Sequence, residues 1–105
     1  MPKYLLGYHG GGMPGTPEEG AKVMAAWGAW IEKMGPAMVD VGNPIGATKT
    51  IAANGSISDG GGANPLSGYS VIEADNLDMA AMMAQGCPHL ASGGTVQVAE
   101  TFNAM

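Results

Sequence analysis

The sequence contains no arginine, and its only fixed cations are four lysines against nine carboxylates, which gives the 105 residues a formal net charge of −5. Proteins that bind a nucleic-acid backbone or an anionic membrane surface rely on clusters of Lys and Arg. We therefore expect neither nucleic acid nor a membrane among the partners of this chain.

Cysteine and long apolar runs are scarce too. Cys87 is the only cysteine, so no intrachain disulfide can form and nothing calls for an oxidising compartment. No apolar run approaches the roughly 20 residues of a membrane-spanning helix. The first ten residues lack the apolar core of a secretory signal. The expected location is the cytoplasm.

Glycine, in contrast, is abundant, with 18 of 105 residues. The glycines stand in blocks between periodic segments, which predicts long loops at 10–15 and 60–65 on a folded protein rather than general disorder. The length fits one domain that covers residues 1–105.

The first half of the chain predicts a strand followed by a helix. Residues alternate over Lys3–His9, as they do in a strand. Thr16 can cap a helix that has Pro17 in its first turn and Glu19 closing a capping box. Apolar residues at helical spacing then form one stripe, made of Val23, Trp27, Trp30, Ile31 and Met34.

The second half predicts an α+β order. Short strands are expected over 37–41 and 47–53, with a tight turn at Asn54-Gly55 that can extend a hairpin through 56–58. A strand over 68–74 leads into a helix capped by Asp75, and a strand over 95–102 closes the chain. The helix is expected to bury Leu77, Ala80, Ala81 and Ala84.

This order, β-α-β-β-α-β with one additional short strand, is the ferredoxin-like α+β arrangement, with two helices on one face of an antiparallel sheet. No further helix remains to cover the other face. An uncovered, partly apolar sheet would form a large exposed patch. We therefore expect a homodimer in which two sheets meet face to face.

Five segments, KYLLGYHG, AAWGAWIEKMG, GYSVIEADNLDMA, GCPHL and GGTVQVAE, resemble the YCII-related (DGPF-type) family. The resemblance implies a ferredoxin-like fold that pairs into a dimeric α/β barrel, and a biochemical function that is largely undetermined. It also implies a suspected catalytic His–Asp pair in some members. Here Met24 and Cys87 occupy those two positions, and Gly61-Gly62 follow Asp59-Gly60 where the family has Pro-Phe. The family's suspected chemistry is therefore not expected in this chain.

The weak candidates for catalysis are His9, His89 and Asp40. Histidine titrates near neutrality, so both histidines suit acid–base work at a barrel mouth, or are simply a strand end and a loop side chain. The predicted ligand-binding residues are Trp27, Asp40, Tyr69, Glu73 and Gln97. Asp40, Glu73 and Gln97 would share one sheet face if the strand register is as predicted, and the alternative is that they lie at solvent-exposed edges.

Other motifs carry little chemistry. The glycines of 10–15 match G-x-G-x-x-G, but Pro14 and Pro17 remove amides that phosphate binding needs. The HGGG of 9–12 lacks the serine elbow of esterases. Cys87 follows a helix C-terminus, which favours a packed, inert thiol. No metal-binding spacing is present, and no cofactor is expected.

The sequence thus predicts a homodimeric small-ligand-binding or structural protein. The alternative is a cofactor-free enzyme that acts on a small aromatic or carbonyl-bearing metabolite.

Overall fold

Strand β1 (Lys3–His9) lies at the centre of a four-stranded sheet in the computed structural model, which describes residues 2–12 and 15–102. The other elements are α1 (Pro17–Met34), β2 (Met38–Asp40), β3 (Lys49–Ile51), β4 (Ile57–Asp59), β5 (Leu66–Glu73), α2 (Leu77–Ala84) and β6 (Thr95–Glu100), with 3₁₀ turns at Gly35–Ala37 and Pro88–Leu90. The sheet order is β2-β5-β1-β6, and each neighbouring pair is antiparallel. This α+β architecture is compatible with the ferredoxin-like class.

Helix α1 begins as the sequence predicts. The Thr16 hydroxyl accepts a hydrogen bond from the Glu19 amide at 3.1 Å, and the Glu19 carboxylate accepts one from the Gly15 amide at 2.9 Å. Trp30 is buried, and the rest of the predicted stripe is partly buried. The Glu19 carboxylate thus reaches the residue before the cap instead of the Thr16 amide of a capping box, and the two bonds together fix the start of a helix whose apolar stripe faces the sheet.

Helix α2 differs from the prediction in its cap and in its buried side. Asn76, not Asp75, caps it, because the Asn76 side chain accepts from the Met79 amide at 2.8 Å. With the helix starting one residue later than expected, Ala80 and Ala84 are buried, while Leu77 and Ala81 are exposed.

The predicted hairpin is present but does not belong to the main sheet. Strands β3 and β4 pair only with each other, and the Asn54 side chain closes their turn by accepting from the Ser56 amide at 3.0 Å. Both strands span three residues, so the predicted 47–53 is too long. β2 and β6 are also shorter than predicted, since pairing ends at Asp40 and Glu100.

The core lies between the sheet and the two helices. On β1 and β5 it takes the even-numbered residues, whose side chains point to the helices. Its buried apolar residues are Tyr4, Leu6, Tyr8, Trp30, Ile72, Ala74, Ala80, Ala84 and Cys87.

A short polar chain crosses this core. The Tyr8 hydroxyl donates to Ser70 Oγ at 2.7 Å, and Ser70 Oγ donates to the Val41 carbonyl at 2.6 Å. Burial raises the pKa of the Tyr8 phenol well above its ordinary value, so Tyr8 remains a donor at physiological pH. The chain ties β1 and β5 to the segment that leaves β2.

The opposite face of the sheet, which we call the open face, carries the odd-numbered residues of β1 and β5, together with Leu66, which pairs with His9 beyond the β-bulge between these strands. Within residues 2–12 and 15–102 no helix packs on it, and Leu5, at its centre, is 38% exposed. The molecule is accordingly flat, 43 × 41 × 18 Å. Its radius of gyration is 15.2 Å, where a typical domain of this length has about 13 Å.

The polar chain gives a test of the core. Ser70→Ala leaves both the Tyr8 hydroxyl and the Val41 carbonyl without a partner, so it should lower the free energy of unfolding by about 2–3 kcal/mol. Tyr8→Phe leaves Ser70 bonded to Val41 and should cost only about 1 kcal/mol. Urea unfolding of both variants and the double variant checks this. An equal loss in the two single variants would contradict it.

Candidate functional site

The open face gathers three of the predicted site residues around Gly7. Tyr69 and Gln97 are the cross-strand partners of Gly7 on its two sides, and His9 lies one row further along β1, opposite Leu66. Because Gly7 has no side chain, Leu66 and His9 close over it, and Gly7 itself is buried. A Cβ built on Gly7 would lie 3.2 Å from Leu66 Cδ2 and 3.7 Å from His9 Nε2. We call His9, Leu66, Tyr69 and Gln97 the open-face cluster.

His9 is held firmly within this cluster. It is 8% exposed, and its Nδ1 lies 3.0 Å from the Asn64 carbonyl oxygen. A carbonyl only accepts, so Nδ1 carries a proton and donates. Nε2 lies 3.0 Å from the Gln97 side-chain oxygen, and the Gln97 amide can turn either its oxygen or its NH₂ group to that nitrogen. Both ring nitrogens of His9 therefore have a hydrogen-bond partner within the chain.

Asp40 and Glu73 share the open face but lie away from His9. Asp40 pairs with Val71 on the edge strand β2, next to the strand of Tyr69 but two strand spacings from the strand of His9, or roughly 10 Å. Its carboxylate accepts from the Gly42 amide at 2.9 Å and closes a turn. Glu73 pairs with Lys3, four residues along β1 from Gly7, or roughly 13 Å. In one protomer these carboxylates cannot reach a small ligand at His9.

Trp27 lies on the helix side of the sheet instead. Its ring packs edge-on against Tyr8 and against Trp30, with ring centroids 5.4 and 5.8 Å apart. Edge-to-face contacts of this kind stabilise a core. Trp27 and the open-face cluster are thus on opposite sides of the sheet and do not line one site.

His89 follows α2 and fastens the end of β1 from the helix side. Its Nε2 donates to the His9 carbonyl at 2.9 Å, which assigns the proton of the neutral ring to Nε2. The ring sits against Gly11 and Gly94. A Cβ on Gly11 would lie 2.7 Å from His89 Cε1, and one on Gly94 would overlap the ring. Through this bond and the contacts of its ring with the two glycines, His89 positions the end of β1.

Cys87 is buried against the Tyr8 hydroxyl, and burial raises the pKa of its thiol. A thiol with a raised pKa is a poor nucleophile at neutral pH. The structure therefore agrees with the predicted packed, inert thiol.

Two open grooves of about 600 and 220 Å³ flank Trp30 on the helix side. Their walls are mostly alanine, methionine and glycine, with Lys33 as the charged side chain. His9, Asp40 and Glu73 do not line either groove. A cavity that includes the open-face cluster would need a roof from a second polypeptide.

The remaining motifs stay without support. Met13 and Pro14 of the G-x-G-x-x-G match lie outside the described residues. In the part of the chain that the structure describes, no three His, Cys, Asp or Glu side chains are grouped as metal ligands would be. Among these same residues, no helix has the length and apolar content to cross a membrane.

Comparison with known proteins finds no family model that matches the chain and no match among curated proteins. The resemblance to the YCII-related family therefore stays a prediction.

Three contributors to these sites were missed from the sequence. Asn64 acts through its backbone carbonyl, for which residue type gives no signal. Gly94 acts through the Cβ that it lacks. Ser70 could have been found, since it is the polar member of the apolar even-numbered positions of β5.

The contact of the His89 ring with Gly11 and Gly94, which we call the glycine cradle, can be tested by adding one methyl group. Gly94→Ala should displace the His89 ring and lower the free energy of unfolding by about 1–3 kcal/mol, as overpacking does. Gly12→Ala is the matched control, because its Cβ would meet Ser92 O at an ordinary 3.8 Å, and it should change stability by less than about 0.5 kcal/mol. Urea unfolding measures both. Equal stabilities for the two variants would show that no cradle exists.

Proposed function

We propose that the chain is a homodimeric protein of the YCII-related type, with a ferredoxin-like β-α-β-β-α-β fold and the β3–β4 hairpin as an insertion. Two open faces stack in the dimer and close an α/β barrel. The protein serves as a structural or small-ligand-binding dimer without the family's suspected His–Asp pair, whose positions hold Met24 and Cys87.

The observation that supports this proposal most is the surface that one chain leaves uncovered. The accessible surface is 7172 Å², whereas a compact monomer of 10.5 kDa exposes about 5,400 Å². The excess, about 1,700 Å², is of the size that each partner contributes to a large homodimer interface. Part of it lies on the open face, where Leu5, Val39 and Leu66 are exposed.

A ligand role follows from the same stacking. The open-face cluster joins the hydrogen-bonded His9–Gln97 pair to the half-buried Tyr69 and the exposed Leu66. A second sheet laid over it would exclude water from this mixed surface, and enclosed sites of mixed apolar and polar lining bind small molecules.

The dimer is tested by one charge at the centre of the open face. The wild type should sediment at about 21 kDa, twice the mass of one chain. Leu5→Glu, present twice in a symmetric dimer, should raise the dimer Kd by at least roughly 100-fold, because it buries two unpaired carboxylates. Met24→Glu on the outer surface of α1 is the control and should leave the Kd unchanged. A wild type that remains monomeric at about 100 µM would overturn the proposal.

One observation favours a second function, a cofactor-free enzyme. The Asn64 carbonyl fixes the His9 proton on Nδ1, and Nε2 faces the exposed Gln97 side chain. A carbonyl-bearing or aromatic metabolite that displaces the Gln97 amide could exchange a proton with Nε2.

His9→Asn separates binding from proton transfer, because the Asn amide can still donate to Asn64 while Nε2 is lost. A panel of small aromatic acids and keto acids should raise the wild-type Tm by mass action and shift the ¹⁵N signals of the His9 ring. The same compounds should still stabilise His9→Asn but undergo no turnover with it. If no carbonyl compound shifts the His9 signals of the wild type, the enzyme proposal is wrong and only the structural role remains.

A further inference from the structure

The β3–β4 hairpin is the part of the chain with the least internal support. All six residues of its two strands are exposed, and the strands pack mainly against each other. An isolated two-stranded hairpin is marginally stable in water at best. Residues 46–62, which we call the arm, therefore need a surface outside their own chain to explain a defined conformation.

The two faces of the arm differ in chemistry. On one face the hydroxyls of Thr50 and Ser58 bond to backbone carbonyls of the arm itself. On the other face Ile51 and Ile57 are direct cross-strand partners, and they are 68% and 66% exposed. Ala52 and Ala53 extend the apolar character into the turn. The arm is thus polar on one side and apolar on the other, as a strand pair that docks by one side would be.

The charges on the apolar face are neutralised internally. Lys49 and Asp59, the next cross-strand pair on that face, form a salt bridge. The face therefore has no net charge and does not repel a surface of either sign. It can approach another copy of this chain, whose net charge is −5, without a charge penalty.

The base of the arm adjoins the rim of the open face. The Ile45 amide donates to the Ser67 carbonyl in β5, and the Asn64 carbonyl accepts from His9 in the open-face cluster. A second sheet stacked on the open face would therefore lie next to the base of the arm.

We infer that the arm of each protomer packs its Ile51–Ile57 face on the second copy, beyond the stacked sheets, so that two arms clasp the dimer reciprocally. This inference rests on the proposed homodimer and adds a second, separable contact to it. In a two-fold dimer the same contact occurs twice, so each substitution acts on both arms.

The arm is tested in the full chain with Ile51→Thr/Ile57→Thr. Threonine is also β-branched and keeps the hairpin's preference for strands, but it removes the apolar contact. The dimer Kd, measured by sedimentation across a dilution series, should rise by roughly 100-fold or more. Thr50→Ser/Ser58→Thr on the opposite face of the same arm is the control and should leave the Kd unchanged.

Isotope-filtered NOE spectra of mixed dimers give a readout that needs no substitution. Wild-type chains with ¹³C-labelled Ile methyls, mixed with unlabelled chains, should show intermolecular contacts from Ile51 and Ile57. The docking of the arm is wrong if the threonine variant has an unchanged Kd, or if the Ile51 and Ile57 methyls of the dimer contact only their own chain. Neither result would contradict the stacked dimer. A monomeric wild type overturns both proposals.

Discussion

A single layer of helices can cover only one face of a sheet, and the rest of this structure follows from that constraint. Both helices pack on the even-numbered side of β1 and β5, where the core is closed and its polar groups are paired. The odd-numbered side keeps Leu5 in contact with water. Burying apolar surface is the main favourable contribution to folding, so the proposed second copy would stabilise a chain that leaves this side uncovered.

Because side chains alternate along a strand, neighbouring residues at the end of β1 face opposite sides of the sheet. Tyr8 points into the core, and its neighbour His9 points to the open face. His89 joins the two sides, since its ring packs near Tyr8 and its Nε2 donates to the His9 carbonyl. The position of His9 is therefore set from both faces. Its side chain is already buried in one chain by its contacts with Asn64 and Gln97, so a ligand at His9 would have to displace one of these two partners.

The periodicity of apolar residues predicts buried positions correctly where the residues are buried within one chain. Alternation in β1 and the stripe of α1 identify residues that face the core, because burial in the same chain selects them. The cap of α2 was misplaced by one residue, since Asp75 and Asn76 are both good caps and only the geometry of the turn chooses between them. The site was predicted in part. His9, Tyr69 and Gln97 converge, whereas Asp40 and Glu73 do not, because lateral strand order decides distance and no local pattern encodes it.

The distribution of charge on the open face bears on how two acidic chains can meet. Lys3, Asp40 and Glu73 lie at the ends or the edge of the sheet, while the rows at its centre hold Leu5, Gly7, Val71 and Ala99. Repulsion between two chains of net charge −5 acts over about 8 Å at physiological ionic strength, so it slows encounter more than it weakens the final contact. The uncharged centre then decides affinity. The arm likewise adds apolar surface at the periphery without adding net charge there, because its Lys49 and Asp59 form a salt bridge.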